Sequence, residues 1–477
     1  MKSLIRLVSA VLSVAILVLS FASCKKNDQA QDDTSSVVST IKPSWEEALK
    51  EDNTSKMLDG NVETFWSVEE GTTTQEFSLE KETTFNAIKF DEHNDYITDY
   101  IVEIKENGEW KQIYRQDEMG KRVGIIDETV TAKDFRITVT SSQNLGGLNE
   151  ISFSLEDGFE ATNFCNKGYF TVSRIDKMRE TNFSELTGLT DIILFDFGSW
   201  DKNGNFLWGS KGAEYNEAFL QKVLEEVKTA LNGRKINIWF SLQNYNKETT
   251  EHTGQLFATE QARKNLTDFA VNLCKKYGFY GVDIDYEYPS NSKEYTDVAW
   301  KNYNLFLQYA AKALHKNGYK LSCAFYPKMT QVEKETIELI DHVNVMSYDM
   351  MDRFGRHSGY AVCEKSYSYF LELGFKPEQL ILGLPYYTKT TTGEAGPGYN
   401  WIINRWRNSV KPWVNFTHNN TYTYYFNGPY IIRDKVFYAM SNNMGGVFNW
   451  CMGADVPVSD ERSLALTVDN TIKRFSK

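Results

Sequence analysis

Three carboxylates stand at every second position of one short apolar stretch: Asp283, Asp285 and Glu287, within "YGVDIDYEYP", residues 280–289. Alternate side chains of an extended strand share a face, so this spacing directs all three carboxyls into one small volume. Like charges crowded in a low dielectric cannot all ionise, and at least one proton is retained near neutral pH. A retained proton is what donation to a leaving oxygen requires. The interleaved Val282, Ile284 and Tyr286 predict a buried strand rather than an acidic surface strand. The competing reading, a divalent-cation site, wants more carboxylates from other loops.

The elements around this strand say where such a cluster must sit. From Gly168 onward, short buried strands alternate with long amphipathic helices, which predicts repeated βα units and a parallel sheet. Eight strands are expected: "GYFTVS", "DIILFDF", "KINIWFSL", "GVDID", "YKLSCAF", "HVNVM", "LILGLP" and "GVFNW". Between the second and third, Phe219, Val223, Val227 and Leu231 recur on one helical face, and Gly233 ends the run. Eight units in this length predict a (β/α)8 TIM barrel over residues 165–477, an open doubly wound sheet being the alternative. Chemistry then belongs at the C-terminal ends of the strands, where the carboxylates fall. Residues 41–158 read differently, as short alternating strands separated by turns such as "ENGEW", which predicts an all-β sandwich. The fold class is therefore α/β, a TIM barrel preceded by an all-β domain.

Composition narrows the function. The 477 residues carry 52 Lys and Arg against 64 Asp and Glu, a net charge of −12 that argues against a nucleic-acid partner. Aromatics are plentiful at 14%, which suits both a large core and a cleft that stacks on sugar rings. No P-loop, dinucleotide fingerprint, HExxH or GxSxG occurs, and the six cysteines show no zinc spacing. Five cysteines beyond residue 24 read as mostly free core thiols.

Four motifs in order resemble family 18 glycoside hydrolases, the chitinase and endo-β-N-acetylglucosaminidase family. Residues 280–287 are similar to its DGxDxDxE strand motif, with Tyr280 in place of the first Asp. "NVMSYD", from Asn344 to Asp349, resembles its MxYD. "ILGLPYYTK" resembles G-x-P-x-Y and matches Tyr387, and "GGVFNWCMGAD" resembles GGxxxW and matches Trp450. "LFDFGSWDKNGNF" resembles the loop after the second strand that lines the cleft. The resemblance implies retaining hydrolysis without a carboxylate nucleophile and without a catalytic cofactor or metal. Glu287 would protonate the glycosidic oxygen while the substrate's 2-acetamido oxygen attacks the anomeric carbon, giving an oxazolinium ion. Asp285 would hold the acetamido N–H, Asp283 would share a proton with Asp285, and Tyr348 would bond the acetamido group. Trp450 would floor the pocket, with Asp349, Met346 and Tyr387 shaping its wall. Met346 and Trp450 also fit plain barrel packing, and Asp349 a solvated strand end.

The implied partners are chitin-type oligosaccharides or, in the competing reading, the chitobiose core of glycoprotein N-glycans. A non-catalytic glycan-binding protein is the alternative of another class. The stretch from Tyr387 to Met444 reads as too short for the extra α+β insertion that some chitinases carry. "KMLDGNVETFWSVEE", Lys56 to Glu69, resembles the DGxxxTxW turn of discoidin-like, coagulation-factor type C domains. Such a domain would be a carbohydrate-binding module or a spacer. Within it Asp59 is a candidate structural-calcium ligand or a turn cap, Trp66 a core residue, and His93 and Asn94 loop candidates for binding. At the start, Lys2 and Arg6 precede an apolar run from Leu7 to Phe21 and then Ala22-Ser23-Cys24. Residues 1–23 read as a lipoprotein signal peptide, Cys24 as the lipidated residue and 24–40 as a flexible tether. Those features imply lipid anchoring to the bacterial outer membrane, facing the cell surface.

Overall fold

The computed structural model describes residues 54–160, 163–174, 183–244, 253–287, 289, 296–328, 330–352, 354–407, 409–419 and 421–477. The expected signal peptide and tether, with Cys24, fall outside the described residues.

The N-terminal domain is antiparallel. Its strands are β1 (Trp66–Val68), β2 (Gly71–His93), β3 (Ile97–Glu106), β4 (Glu109–Gln116), β5 (Lys121–Ser141) and β6 (Gly146–Ser154), hydrogen-bonded in the order β1-β6-β2-β5-β3-β4. Register shifts between Ser78 and Thr83 and between Phe85 and Ala87 break the long β2–β5 ladder. Shifts of this kind bend strands and strengthen twist. The bend lets one face close over Phe77, Phe85, Ile88, Tyr100, Phe135 and Ile137. Trp66 lies in that core as expected.

The second domain is the expected barrel. Its eight parallel strands are β7 (Cys165–Thr171), β8 (Asp191–Phe195), β11 (Asn237–Asn244), β12 (Gly281–Tyr286), β13 (Lys320–Phe325), β14 (His342–Val345), β15 (Leu380–Pro385) and β20 (Gly446–Trp450). They close in chain order, β20 pairing with β7, so the open-sheet alternative is excluded. A hairpin of β9 (Gly198–Trp200) and β10 (Phe206–Trp208) follows β8. The helix Gly212–Leu231 buries Leu220, Val223, Leu224, Val227 and Leu231, with Phe219 only partly buried at the rim. It ends at Asn232 in the left-handed conformation, one residue before the expected glycine. All five described cysteines are free.

One expectation is corrected. The chain after β15 is not too short for an insertion. It forms β16 (Tyr387–Thr390), β17 (Ala395–Gly398), β18 (Phe416–His418) and β19 (Thr423–Tyr425), an antiparallel sheet in the order β17-β16-β19-β18, with the helix Tyr399–Arg405. Strands of three or four residues carry too little periodicity to be read from sequence.

Candidate active site

The strand β12 places Asp283 and Asp285 on one face, and Glu287 is the first residue past its C-terminal end. Register then decides their neighbours. Asp283 stands opposite Ser241 on β11 and Ser322 on β13. These serines face inward between apolar neighbours and supply donors to Asp283, whose carboxylate is fully buried. Oδ2 accepts the Tyr169 hydroxyl at 2.9 Å and the Ser241 hydroxyl at 3.1 Å. Asn344 Nδ2 donates to Oδ1 at 2.9 Å. The Asn344 amide is in turn anchored by Lys167, whose Nζ donates to its Oδ1 at 3.2 Å. Lys167 is fully buried, with its ammonium 4.7 Å over the Trp239 ring. Burial raises the Asp283 pKa, and the Lys167 charge and these hydrogen bonds oppose the rise.

Asp285 is raised well above the ordinary carboxylate range, first by burial and then by the charges of Glu287 and Asp283. Its carboxyl hydrogen-bonds Glu287, so the two acids titrate as a pair that keeps a proton between them. The sequence reading expected that proton between Asp283 and Asp285. In this structure Asp283 is engaged by Tyr169, Ser241 and Asn344, and Asp285 turns to Glu287. Asp285 Oδ1 is buried with no hydrogen-bond partner among the described residues.

Above this pair lies a cavity of about 320 Å³ at the C-terminal end of the barrel, lined by Asp285 and Glu287 together with Met346, Tyr348, Asp349, Tyr387 and Trp450. Every candidate site residue of the barrel therefore meets there except Asp283, which lies beneath. The Trp450 ring is fixed edge-on against Phe195 at 4.8 Å and Tyr169 at 5.2 Å. Tyr348 packs edge-on to Tyr387 at 6.1 Å and to Phe448 at 6.0 Å. It also lies so close to Gly383 that a β-carbon there would stand 2.9 Å from its ring. That explains the glycine of the "GLP" motif. Asp349 is not simply solvated. Although burial works against it, His357, the Tyr387 hydroxyl and Lys389 hold its carboxyl down to about 2. Lys389 lies 3.0 Å away.

Sequence reasoning passed over Tyr169, Ser241, Lys167, Lys389 and His357. An inward polar residue in an apolar strand was the available signal for Ser241, and a lysine in the "NKGYF" strand for Lys167. Nothing local marked His357. Tyr280, the departure from the strand motif, packs edge-on against Trp239 at 5.1 Å, near the N-terminal end of its strand and away from the cavity. In the N-terminal domain, Asp59 caps a turn, accepting the Asn61 N–H and the Thr64 hydroxyl, each at 2.8 Å. No group of three or more His, Cys, Asp or Glu that could hold a metal occurs among the described residues. His93 stacks on Phe65 at 3.6 Å, and Asn94 donates to the Leu145 carbonyl at 3.2 Å.

A closed barrel whose C-terminal end holds a hydrogen-bonded carboxyl pair in a cavity lined by Tyr348, Tyr387 and Trp450 is a glycoside-hydrolase type of site. The chain belongs to glycosyl hydrolase family 18, whose family model matches residues 167–455. The F5/8 type C domain model matches residues 35–152, which makes the N-terminal domain discoidin-like. Among similar proteins is "Endochitinase 1" of Metarhizium robertsii, 23% identical over 306 residues, covering 54% of this chain and 68% of that one. Another is "Probable chitinase 2" of Drosophila melanogaster, 23% identical over 262 residues, covering 44% of this chain. That match spans only 54% of the Drosophila protein. The fold is shared with the GH18 chitinase ChiB of Flavobacterium johnsoniae, with a TM-score of 0.54, 21% identity and coverage of 66% of this chain and 94% of that one. A chitinase from Bacteroides thetaiotaomicron gives a TM-score of 0.53 at 21% identity, covering 65% and 97%.

Proposed function

We propose that this chain is a retaining hydrolase of β-1,4-linked N-acetylglucosamine oligosaccharides of the chitin type. The observation that carries the reading is Asp285: hydrogen-bonded to Glu287, buried, and with one oxygen unpartnered beside the cavity. A buried acceptor without a donor costs about 1–3 kcal/mol, and a 2-acetamido N–H entering the cavity would satisfy it. On binding, Asp285 turns its charge toward that N–H and the proton passes to Glu287, which donates it to the glycosidic oxygen. The acetamido oxygen, held by Tyr348, attacks the anomeric carbon from the face opposite the leaving group and closes the oxazolinium ring. Asp285 offsets the positive charge that develops there. Water then opens the ring, with Glu287 as base, and the configuration is retained. Trp450 offers its flat face to the sugar over this centre.

The names of the relatives support the substrate class, as do two Cycas revoluta structures of the same fold, a class V chitinase mutant solved with (GlcNAc)3 and a GH18 chitinase mutant solved with (GlcNAc)4. The competing substrate is the chitobiose core of N-glycans. Product mass spectrometry with chitin oligosaccharides and an N-glycoprotein together decides between them. Shortened oligomers are expected; a protein left bearing a single GlcNAc would move the assignment to the glycoprotein. The expected loss in Glu287→Gln is at least about 10²-fold in kcat. Near-normal turnover by that variant refutes Glu287 as the acid, and binding without turnover by the wild type favours the non-catalytic glycan binder. We further infer lipid anchoring through Cys24, tested by release of Cys24→Ala from the membrane fraction.

A further inference from the structure

The chain between β14 and the helix Tyr360–Glu372 begins at the cavity and ends against the other domain. Asp349, on the cavity wall, has a left-handed backbone (φ 61°). Asp tolerates this conformation only at a cost that its surroundings must meet. The Asp349 N–H donates to Nε2 of the buried His357 at 3.1 Å. That ring lies 5.1 Å from the ring of Tyr387, whose hydroxyl bonds the Asp349 carboxylate. His357 thus stands behind the wall and fixes both its residues.

His357 is held from the barrel, where Asn427 Nδ2 donates to its carbonyl at 3.1 Å and Lys435 Nζ bonds the carbonyl of Ser358. The residues on either side of it are held by the N-terminal domain. Met351 bridges His357, and the turn between them is closed by Asp352, whose Oδ2 accepts Arg356 Nε at 2.6 Å. The Arg356 guanidinium reaches across the domain boundary to donate to the Asp117 carbonyl, with Nη2 3.7 Å from Glu118. The Glu118 carboxylate accepts the N–H of Tyr360 and packs so tightly on Gly359 that a β-carbon there would collide with it. Asp117 and Glu118 are each only 8% exposed. Carboxylates buried at a contact are costly unless paired in good geometry. Here the Glu118 carboxylate meets Arg356 and the Tyr360 N–H, on either side of the residue that backs the cavity wall. The Asp117 carboxylate accepts Asn415 Nδ2 at 2.9 Å, and its carbonyl accepts Arg356.

We propose that the Gln116–Met119 turn of the discoidin-like domain is a positioning element of the hydrolase cleft, clamping the Arg356–Tyr360 segment so that His357 holds Asp349 and Tyr387 in place for substrate. The N-terminal domain is then part of the active-site scaffold rather than only a binding module or a spacer. The kinetic part of this proposal rests on the function proposed above; the mechanical part does not.

The test uses the full chain. Glu118→Ala and Arg356→Ala are compared with Asp127→Ala, which removes the partner of Tyr430 and Arg433 elsewhere on the same domain contact. Hydrogen exchange is followed in peptides spanning residues 346–362, and KM and kcat are measured with chitotetraose. Loss of a charged hydrogen bond predicts about tenfold faster exchange in that segment and about tenfold higher KM, with kcat within about threefold. Asp127→Ala should leave both unchanged, and Arg356→Lys should fall between. Should Arg356→Ala fail to fold, Glu118→Gln carries the comparison. The proposal is overturned if the Glu118 and Arg356 variants match Asp127→Ala in exchange and in KM. A wild type that turns over no GlcNAc oligomer would defeat the function assigned above, and the exchange measurement alone would still decide this one.

Discussion

Replacing Asp434 with alanine should destabilise the protein by about 3–5 kcal/mol, the cost of leaving a buried charge without its partner. Asp434 lies on the helix Pro429–Ser441 of the barrel, yet all the partners at issue come from the other domain. Arg122 Nη2 donates to it at 2.7 Å and the Ile125 N–H at 2.9 Å, and the Tyr114 hydroxyl donates as well. The side chains of Arg122 and Asp434 are both 0% exposed. Without the carboxylate, a guanidinium, a hydroxyl and an N–H are stranded together. Two contacts remain to Arg122 and place the loss toward the lower end of that range. Its Nη1 donates to the Glu118 carbonyl at 3.0 Å, and its guanidinium lies 4.5 Å over the Tyr360 ring. Asp434→Leu combined with Arg122→Met should recover most of the loss, because apolar replacement of both partners of a buried pair is often neutral. Urea unfolding of the two single variants and the double variant, followed by tryptophan fluorescence, gives the coupling energy directly. A loss below about 1 kcal/mol in both single variants would refute the reasoning, since water would then be reaching the pair.

Three further outcomes are expected. In Asp285→Asn, residual activity should lose its basic limb at lower pH than in the wild type, because the charge that raises the pKa of the shared proton is gone; a pH profile of kcat/KM that keeps its basic limb refutes the coupling. Tyr169→Phe removes a 2.9 Å hydrogen bond to the buried Asp283 and should lower kcat about 10- to 100-fold, from about 1.5–3 kcal/mol, with CD spectrum and KM little changed. Burial raises Asp117 to about 6, above its unfolded value of 3.8. Its contribution to stability is therefore full below that value and lost as pH rises through about 6. Unfolding free energy should fall by up to about 3 kcal/mol across that window, and Asp117→Asn should flatten the dependence.

The periodicities that sequence reveals are local, and what they settled here is local too. Period-two carboxylates separated by apolar residues made 281–286 a buried strand and put Asp285 and Glu287 at its end. Alternating strand and helix patterns predicted all eight barrel strands, and the motifs around Tyr348, Tyr387 and Trp450 placed those residues in one cavity. The long β2 and β5 and the three- and four-residue strands of the insertion were less legible, because bends and edge pairings leave little trace in hydropathy. The charge state of the site was not legible at all. Asp283 is tuned by Tyr169, Ser241, Ser322 and Asn344, which come from four different strands and meet only when barrel closure sets their register. The same holds for Arg122, Glu118 and Asp434, which in sequence look like ordinary surface charges. They are buried because each finds its partner more than two hundred residues away, and only the tertiary fold could bring those partners together and make burying a charge tolerable.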